Sequence, residues 1–325
     1  MSTLPSSLTT VEHYAEAIVL GLVQGVTELF PVSSLGHSVL IPAYLGGQWA
    51  SDLSMTNPKS PYLALIVALH VATALALLVF FRDDWVRIVR GLFSSIRRKQ
   101  IRTPYEKLAW LLVFATIPVG IAGVILDKLL RTDLGKPTYA GAFLMLNGLM
   151  LYAAEKGGAK GKQRGGRRKG VGTGEPSVRE LDKYGRELPP DIASDVRLAR
   201  LSPKTAMSIG AAEIAGLFPG LSRSGATIVA GLFKGLSRDD AARFAFLLAT
   251  PVILLAGLYK VPTLMEPEYE SWIGPALVGS VVAFIASYLS VRFLVRYFEN
   301  RSLIPFAVYS GVFGLFSLVY FGVVK

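Results

Sequence analysis

The chain has 325 residues, 52% of them hydrophobic, and 18% are charged where soluble domains carry roughly 25%. Its formal charge of +11 sits mainly in two stretches, 82–107 (eight Lys/Arg against three Asp/Glu) and 156–204 (thirteen against six), which is the pattern of basic membrane-flanking loops and not of a nucleic-acid binder. With no cysteine and only His13, His37 and His70, disulfides and thiolate chemistry are excluded and a multi-histidine metal centre is not expected.

In chain order, the polar, acidic first 16 residues do not read as a cleaved signal peptide. Residues 12–45 form an apolar helical pattern broken at Pro31, Ser33, Ser34 and Gly36, the pattern of a segment that enters a membrane, turns at depth and leaves on the same side. Residues 61–81 are interrupted only by His70 and Thr73. At about 1.5 Å per residue they span a hydrocarbon core of about 30 Å. The basic stretch 82–107 reads as a cytoplasmic loop. Spans are expected at 108–127 and 137–154, the first kinked at Pro118. The Gly-rich, basic stretch 155–203 has no periodicity and reads as a flexible cytoplasmic linker. Residues 204–236 repeat the broken pattern around Pro219 and Gly220. Spans then follow at 244–264, kinked at Pro251, and at 273–292 and 303–323.

The two halves resemble each other. Leu29-Phe30-Pro31-Val32-Ser33-Ser34 matches Leu217-Phe218-Pro219-Gly220-Leu221-Ser222 at four of six positions, and three spans follow each. If the basic stretches are cytoplasmic, the acidic loop 265–271 falls outside, provided that 12–45 and 204–236 do not cross. The first broken segment then enters from outside and the second from inside. The expected fold class is therefore an all-α polytopic membrane protein. It is an inverted-topology repeat, 1–154 and 204–325, of six spanning helices plus two re-entrant helical hairpins, with a site where the broken helices meet near the midplane.

The chemistry-bearing residues lie in those two breaks. Gln24 and Glu28 are one helical turn apart, and Ser33, Ser34 and His37 follow within ten residues of Glu28. A carboxylate at membrane depth is costly unless paired or functional. Glu28 is either a catalytic group or half of a buried ion pair with Arg223. Ser33 is either a phosphate ligand or a helix cap, Ser34 either a reactive hydroxyl or a helix cap, and His37 either an acid/base group or a satisfied helix-end histidine. In the second break Ser222, Arg223, Ser224, Gly225 and Thr227 place hydroxyls, free N–H groups and a guanidinium at a helix start, as a phosphate cradle requires. No Gly-Lys-Ser/Thr is present, so this is not a Walker loop.

The pair Pro31-Val32-Ser33-Ser34-Leu35-Gly36-His37 and Pro219-Gly220-Leu221-Ser222-Arg223-Ser224-Gly225-Ala226-Thr227, with Glu28 one turn before the first proline, closely resembles the undecaprenyl-pyrophosphate phosphatase, or bacitracin-resistance, family. The resemblance covers nearly the whole chain outside 155–200. It implies hydrolysis of a C55 polyprenyl diphosphate to the monophosphate, an active site facing the outer side of the cell membrane, and a divalent cation. The motif reads Glu or Gln at position 24, and with Gln24 any role that needs a carboxylate there is lost; at Glu213 Gln is expected. On this reading Arg223 clamps the diphosphate with Ser222, Ser224 and local N–H groups, and Glu28, with Gln24, holds Mg²⁺ or Ca²⁺ or activates the nucleophile. Ser34 or His37 is that nucleophile, and both assignments stay open. The expected partners are the lipid substrate and the bilayer, with no nucleic acid. Oligomeric state, a homodimer included, is not legible. The alternative is a lipid transporter or flippase, whose inverted repeats share this plan.

Overall fold

The structure, a computed structural model, describes residues 6–57, 60–132, 134–164, 180–181, 184–264 and 266–324. Thirteen α-helices are assigned among these residues: α1 (Ser6–Thr27), α2 (Ser34–Leu45), α3 (Gly47–Asp52), α4 (Tyr62–Phe80), α5 (Arg82–Arg98), α6 (Pro104–Thr132), α7 (Pro137–Arg164), α8 (Pro190–Leu198), α9 (Pro203–Ala211), α10 (Arg223–Phe233), α11 (Arg238–Leu264), α12 (Glu270–Asn300) and α13 (Ile304–Val319). The described residues contain no strand, only an isolated bridge between Leu181 and Glu187. A 3₁₀ turn, Ala212–Leu217, continues α9 toward the second break.

Among the described residues four helical segments are long and apolar enough to cross a membrane: Pro104–Leu126, Arg238–Gly257, Glu270–Asn300 and Ile304–Val324. The pair α4–α5, bent by 88° at Phe81, makes a fifth if taken as one element. The remaining expected span, 137–154, is the first part of α7, which carries Asn147 and the small residues Gly141 and Gly148. A Cβ at Gly141 would lie 2.7 Å from Leu318 N, and one at Gly148 2.5 Å from Gly311 N. Small residues let α7 and α13 meet backbone to backbone, a packing mode suited to an apolar solvent, at the expense of bulky apolar character.

Two basic stretches are more ordered than the sequence reading expected. Residues 82–98 form α5, with Asp83 and Asp84 in its first turn and Arg97 and Arg98 in its last, the placement the helix dipole favours. Buried Gly91 and Ser95 face α6, where Trp110 Nε1 donates to Ser95 Oγ at 2.9 Å. Of the expected linker 155–203, residues 155–164 continue α7 and 190–198 form α8, with Asp195 fully buried. Arg243 Nε donates to Asp195 Oδ1 at 2.9 Å, and Arg197 Nε to Asp240 Oδ2 at 2.7 Å. Acid–base pairing with α11 thus orders a segment whose composition alone suggested a tether. The Gly/basic run 165–179 lies outside the described residues.

The outer ends of α1 and α2 lie at one end of the bundle, and the segments that flank α9 and α10 meet at the other. His13 of α1 stacks on Trp272 at the start of α12, ring centroids 4.1 Å apart, and Tyr44 of α2 donates to Ser317 Oγ near the end of α13 at 2.9 Å. Helices α12 and α13 are joined by a short connection at 301–303, so those two positions lie on the same side. At the opposite end Arg243, near the start of α11, binds Asp195 of α8, while Arg238, just beyond α10, pairs with Glu155 of α7. Two apolar clusters fill the interior. Leu29 and Val32 belong to one, Val39 and Leu40 to the other, so the first break lies at their junction.

Candidate active site

The two breaks touch through backbone. Ser33 ends the first turn at φ 70°, a conformation L residues rarely adopt and one found mostly where surrounding structure enforces it. Its Oγ accepts from Gly36 N at 3.2 Å, capping α2, and from Gly220 N at 3.1 Å, crossing to the second break. A Cβ at Gly36 would lie 2.8 Å from Gly220 Cα, so only glycine permits this approach. Gly220 itself has φ 111°. Asn147 of α7, fully buried, ties both breaks. Its Nδ2 donates to Pro31 O at 2.9 Å and its Oδ1 accepts from Ser222 N at 3.0 Å. Neither periodicity nor motif singled out Asn147; a lone amide inside an apolar span was the one available signal.

With Ser33 acting as the cap, Ser34 is free to turn back. Ser34 Oγ donates to Glu28 Oε2, which also accepts from Gln24 Nε2 at 3.2 Å and lies 3.2 Å from His70 Nε2. Arg223 Nη2 donates to the other oxygen, Oε1, at 2.5 Å. The carboxylate is buried and has at least four polar neighbours, which offset its desolvation. Glu213 is also buried and interacts electrostatically with Arg223 and Glu28. Gly216, three residues later in the same 3₁₀ turn and so on the same face, packs directly on Arg223.

Glu28, Ser34 and Arg223 lie on one side of a cavity of about 430 Å³ whose remaining wall is mainly apolar, including Ile66, Val119, Val124, Val252 and Leu255. Glu28, Ser33, Ser34, Ser222 and Arg223 line it, as does His70, one of the two polar residues that interrupt the apolar run 61–81. His70 Nδ1–H donates to Ile66 O at 2.7 Å, within α4, and this fixes the ring with Nε2 toward Glu28.

Several expected site residues are placed elsewhere. His37 does not face Glu28. Its Nδ1–H donates to Ser33 O at 2.7 Å and its Nε2 accepts from Tyr309 OH at 2.7 Å, with the two rings stacked. Both nitrogens are engaged in holding the loop, because the partner that claims the ring lies 272 positions away on α13. Ser224 Oγ donates to the carbonyls of Glu28 and Leu29, Gly225 N donates to Ser222 Oγ, and Thr227 Oγ1 donates to Arg223 O. Those three brace the helix start and do not line the cavity.

Among the described residues no group of three or more His, Cys, Asp or Glu is placed to hold a metal ion. The donors present are Glu28 and Gln24, whose Oε1 is buried without a hydrogen-bond partner among the described residues. A hard divalent cation that takes most of its ligands from substrate phosphates fits such a sparse oxygen set.

A family model described as bacitracin resistance protein BacA matches residues 17–316. The chain is 56% identical over 307 residues to an undecaprenyl-diphosphatase of Mycolicibacterium paratuberculosis, covering 94% of this chain and 97% of that protein. It is 55% identical over 313 residues to an undecaprenyl-diphosphatase of Mycobacterium avium, covering 96% and 99%. A more distant relative, undecaprenyl-diphosphatase 1 of Burkholderia pseudomallei, is 36% identical over 305 residues, covering 94% and 95%.

Proposed function

Because the chain belongs to the BacA family and is a multi-pass membrane undecaprenyl-diphosphatase, we propose that the Glu28–Ser34–Arg223 cluster is where it cleaves its substrate. The observation that carries this assignment is the shared carboxylate: Glu28 accepts from the Ser34 hydroxyl on one oxygen and from Arg223 on the other.

In the proposed reaction Glu28 takes the Ser34 proton as Ser34 Oγ attacks the terminal phosphorus. The bridging P–O bond breaks and undecaprenyl monophosphate leaves with that oxygen. Water then attacks the phosphoseryl group, giving inorganic phosphate, and Ser34 recovers its proton. Phosphoryl transfer depends chiefly on positioning and charge stabilisation. Arg223 and the free N–H groups at the start of α10 supply these, with Ser33 and Ser222 at the cavity wall. Glu28 and the Gln24 amide oxygen would hold the Mg²⁺ or Ca²⁺, which would neutralise phosphoryl oxygens when bound. The apolar wall suits the prenyl chain. The transporter reading is not favoured, since it has no need of a hydroxyl poised on a carboxylate beside an arginine.

We also assign the chain an inverted-topology repeat. The paired packings α1 with α12 and α9 with α6, and the same-side ends of each broken pair, support it. The cavity is lined by residues 66–70 of α4, 116–124 of α6 and 252–257 of α11, each in the half of its helix away from the basic segments. With those segments cytoplasmic, the site opens to the outer side of the cell membrane. There it would regenerate carrier lipid for cell-wall glycan synthesis.

The test is phosphate release from a polyprenyl diphosphate by detergent-purified protein, with and without EDTA, for wild type and Ser34→Ala. Wild-type activity lost in Ser34→Ala, with a labelled phosphoserine trapped on the wild type, is expected. A Ser34→Ala protein with near-wild-type turnover would exclude Ser34 as nucleophile. Sidedness is read separately, since the chain has no cysteine: Glu266→Cys should react with an impermeant thiol reagent from outside and Lys156→Cys should not.

A further inference from the structure

Helix α5 presents two unlike faces. Asp84, Ile88, Gly91 and Ser95 are buried against the protein. At 100° per residue the opposite face carries Val86, Val89, Phe93 and Ile96, all exposed, Phe93 by 68% and Ile96 by 52%. One flank of this apolar stripe carries exposed Arg90 and Arg97, with Arg82 at the helix start and Arg98 and Lys99 at its end. Four apolar side chains on one face of a soluble helix would be left in water, a poor outcome for a helix so basic.

The bend resolves this. Helix α4 is among the expected membrane spans, and α5 leaves it at 88°. A helix perpendicular to a span lies along the bilayer surface, beginning at the depth where the span ends. An amphipathic helix with an apolar stripe and Lys/Arg beside it is the sequence type that seats in the headgroup layer, and basic residues at that depth attract anionic headgroups.

We propose that α5 is an interfacial helix whose Val86–Val89–Phe93–Ile96 stripe sits among the acyl chains and whose arginines bind anionic phospholipid headgroups of that leaflet. The membrane continues from α4 without a gap, and the charge is complementary. This is a second lipid contact, separate from the substrate cavity: none of these residues lines it. Arg98 pairs with Glu106, and Arg87 Nη2 donates to Asp191 Oδ2 at 3.1 Å, so α5 is clamped to α6 and α8.

The cysteine-free chain allows spin labels at Phe93→Cys, Val89→Cys and Lys99→Cys in full-length protein, reconstituted in phosphatidylcholine vesicles with or without phosphatidylglycerol. Labels at 89 and 93 should be reached by molecular oxygen and shielded from a water-soluble nickel chelate, with the label at 99 showing the reverse. Trypsin cleavage after Arg97, Arg98 and Lys99 should be several-fold slower in phosphatidylglycerol vesicles than in phosphatidylcholine alone. Arg82→Gln/Arg90→Gln should abolish that difference while the label at 93 stays shielded. A label at 93 as open to nickel as one at 99 would overturn the seated helix. Equal cleavage in the two vesicle types would overturn the anionic preference. Phosphate release by the labelled proteins verifies that each is folded.

Discussion

Arg223 Nη2 lies 2.5 Å from Glu28 Oε1, joining two residues 195 positions apart across the two breaks. The contact fits a phosphate clamp at rest and equally a structural ion pair, and the two roles respond differently to mutation. If Arg223 binds phosphate through its planar fork, Arg223→Lys keeps the charge but not the geometry. It should cost on the order of 10² to 10³ in rate. Glu28→Gln should be comparably damaging with the fold intact. If the pair is structural, the single changes impair folding and Glu28→Gln/Arg223→Gln restores it by removing both charges. Phosphate release and thermal stability of the three variants decide between them. A stable, active double variant would remove both residues from the chemistry.

Asn147 should prove as important to the fold as any residue of the motifs. Asn147→Leu removes the donor to Pro31 O and the acceptor of Ser222 N, leaving both groups buried. An unsatisfied buried backbone group costs about 1–3 kcal/mol. We expect a marked fall in melting temperature together with loss of activity, because both breaks lose their common anchor. Unchanged stability would mean that water replaces the amide.

The two breaks, four of the spans and the residue types gathered around Glu28, Ser34 and Arg223 were legible in the sequence because period, proline position and hydroxyl clustering are local signals. The cross-connections were not. Ser33 caps a helix while its neighbour reaches Glu28, and sequence offers no means to rank two adjacent serines. His37 is turned toward Tyr309 and His70 toward the cavity by hydrogen bonds that composition and spacing do not reveal. Helix α8 was hidden because its order comes from Arg243 and Arg87 on other elements, not from its own apolar content.

Burial of Asp195 at the α8–α11 contact pushes its carboxyl up to about 6, with Asp84 adding to the rise and Arg243 and Arg87 opposing it. The neighbouring groups facing it are Arg243 of α11, Arg87 and Asp84 of α5, Asp191 of α8 and Tyr105 of α6. With an unfolded value of about 3.9, the folded state holds the proton more tightly between about pH 4 and 6. The stability this provides is full below about pH 4 and is lost as pH rises through about 6. Asp195→Asn mimics the protonated form. The wild type should therefore match Asp195→Asn in melting temperature near pH 4 or below and fall progressively behind it up to pH 7. A wild type that gains on the variant as pH rises would show that the arginines dominate.

The two histidines should separate by which property their loss changes. His37 holds the carbonyl of Ser33 and the hydroxyl of Tyr309, so its ring fixes the strained turn that aims Ser34. His37→Ala should lower melting temperature and turnover together, and Tyr309→Phe, which removes one hydrogen bond worth about 1 kcal/mol, should show a smaller version of the same paired loss. His70 lines the cavity, is anchored within α4 and lies 3.2 Å from Glu28 Oε2, a carboxylate that keeps Ser34, Gln24 and Arg223 when the imidazole is removed. His70→Leu should leave melting temperature nearly unchanged and lower turnover on the order of 10², the scale of a lost positioned polar group. His70→Gln, which retains an N–H donor, should recover part of it. Turnover and melting curves on the same four preparations make the comparison. A His37→Ala protein of wild-type stability with no turnover would return that imidazole to the chemistry, and an active His70→Leu protein would make His70 a bystander at the cavity wall.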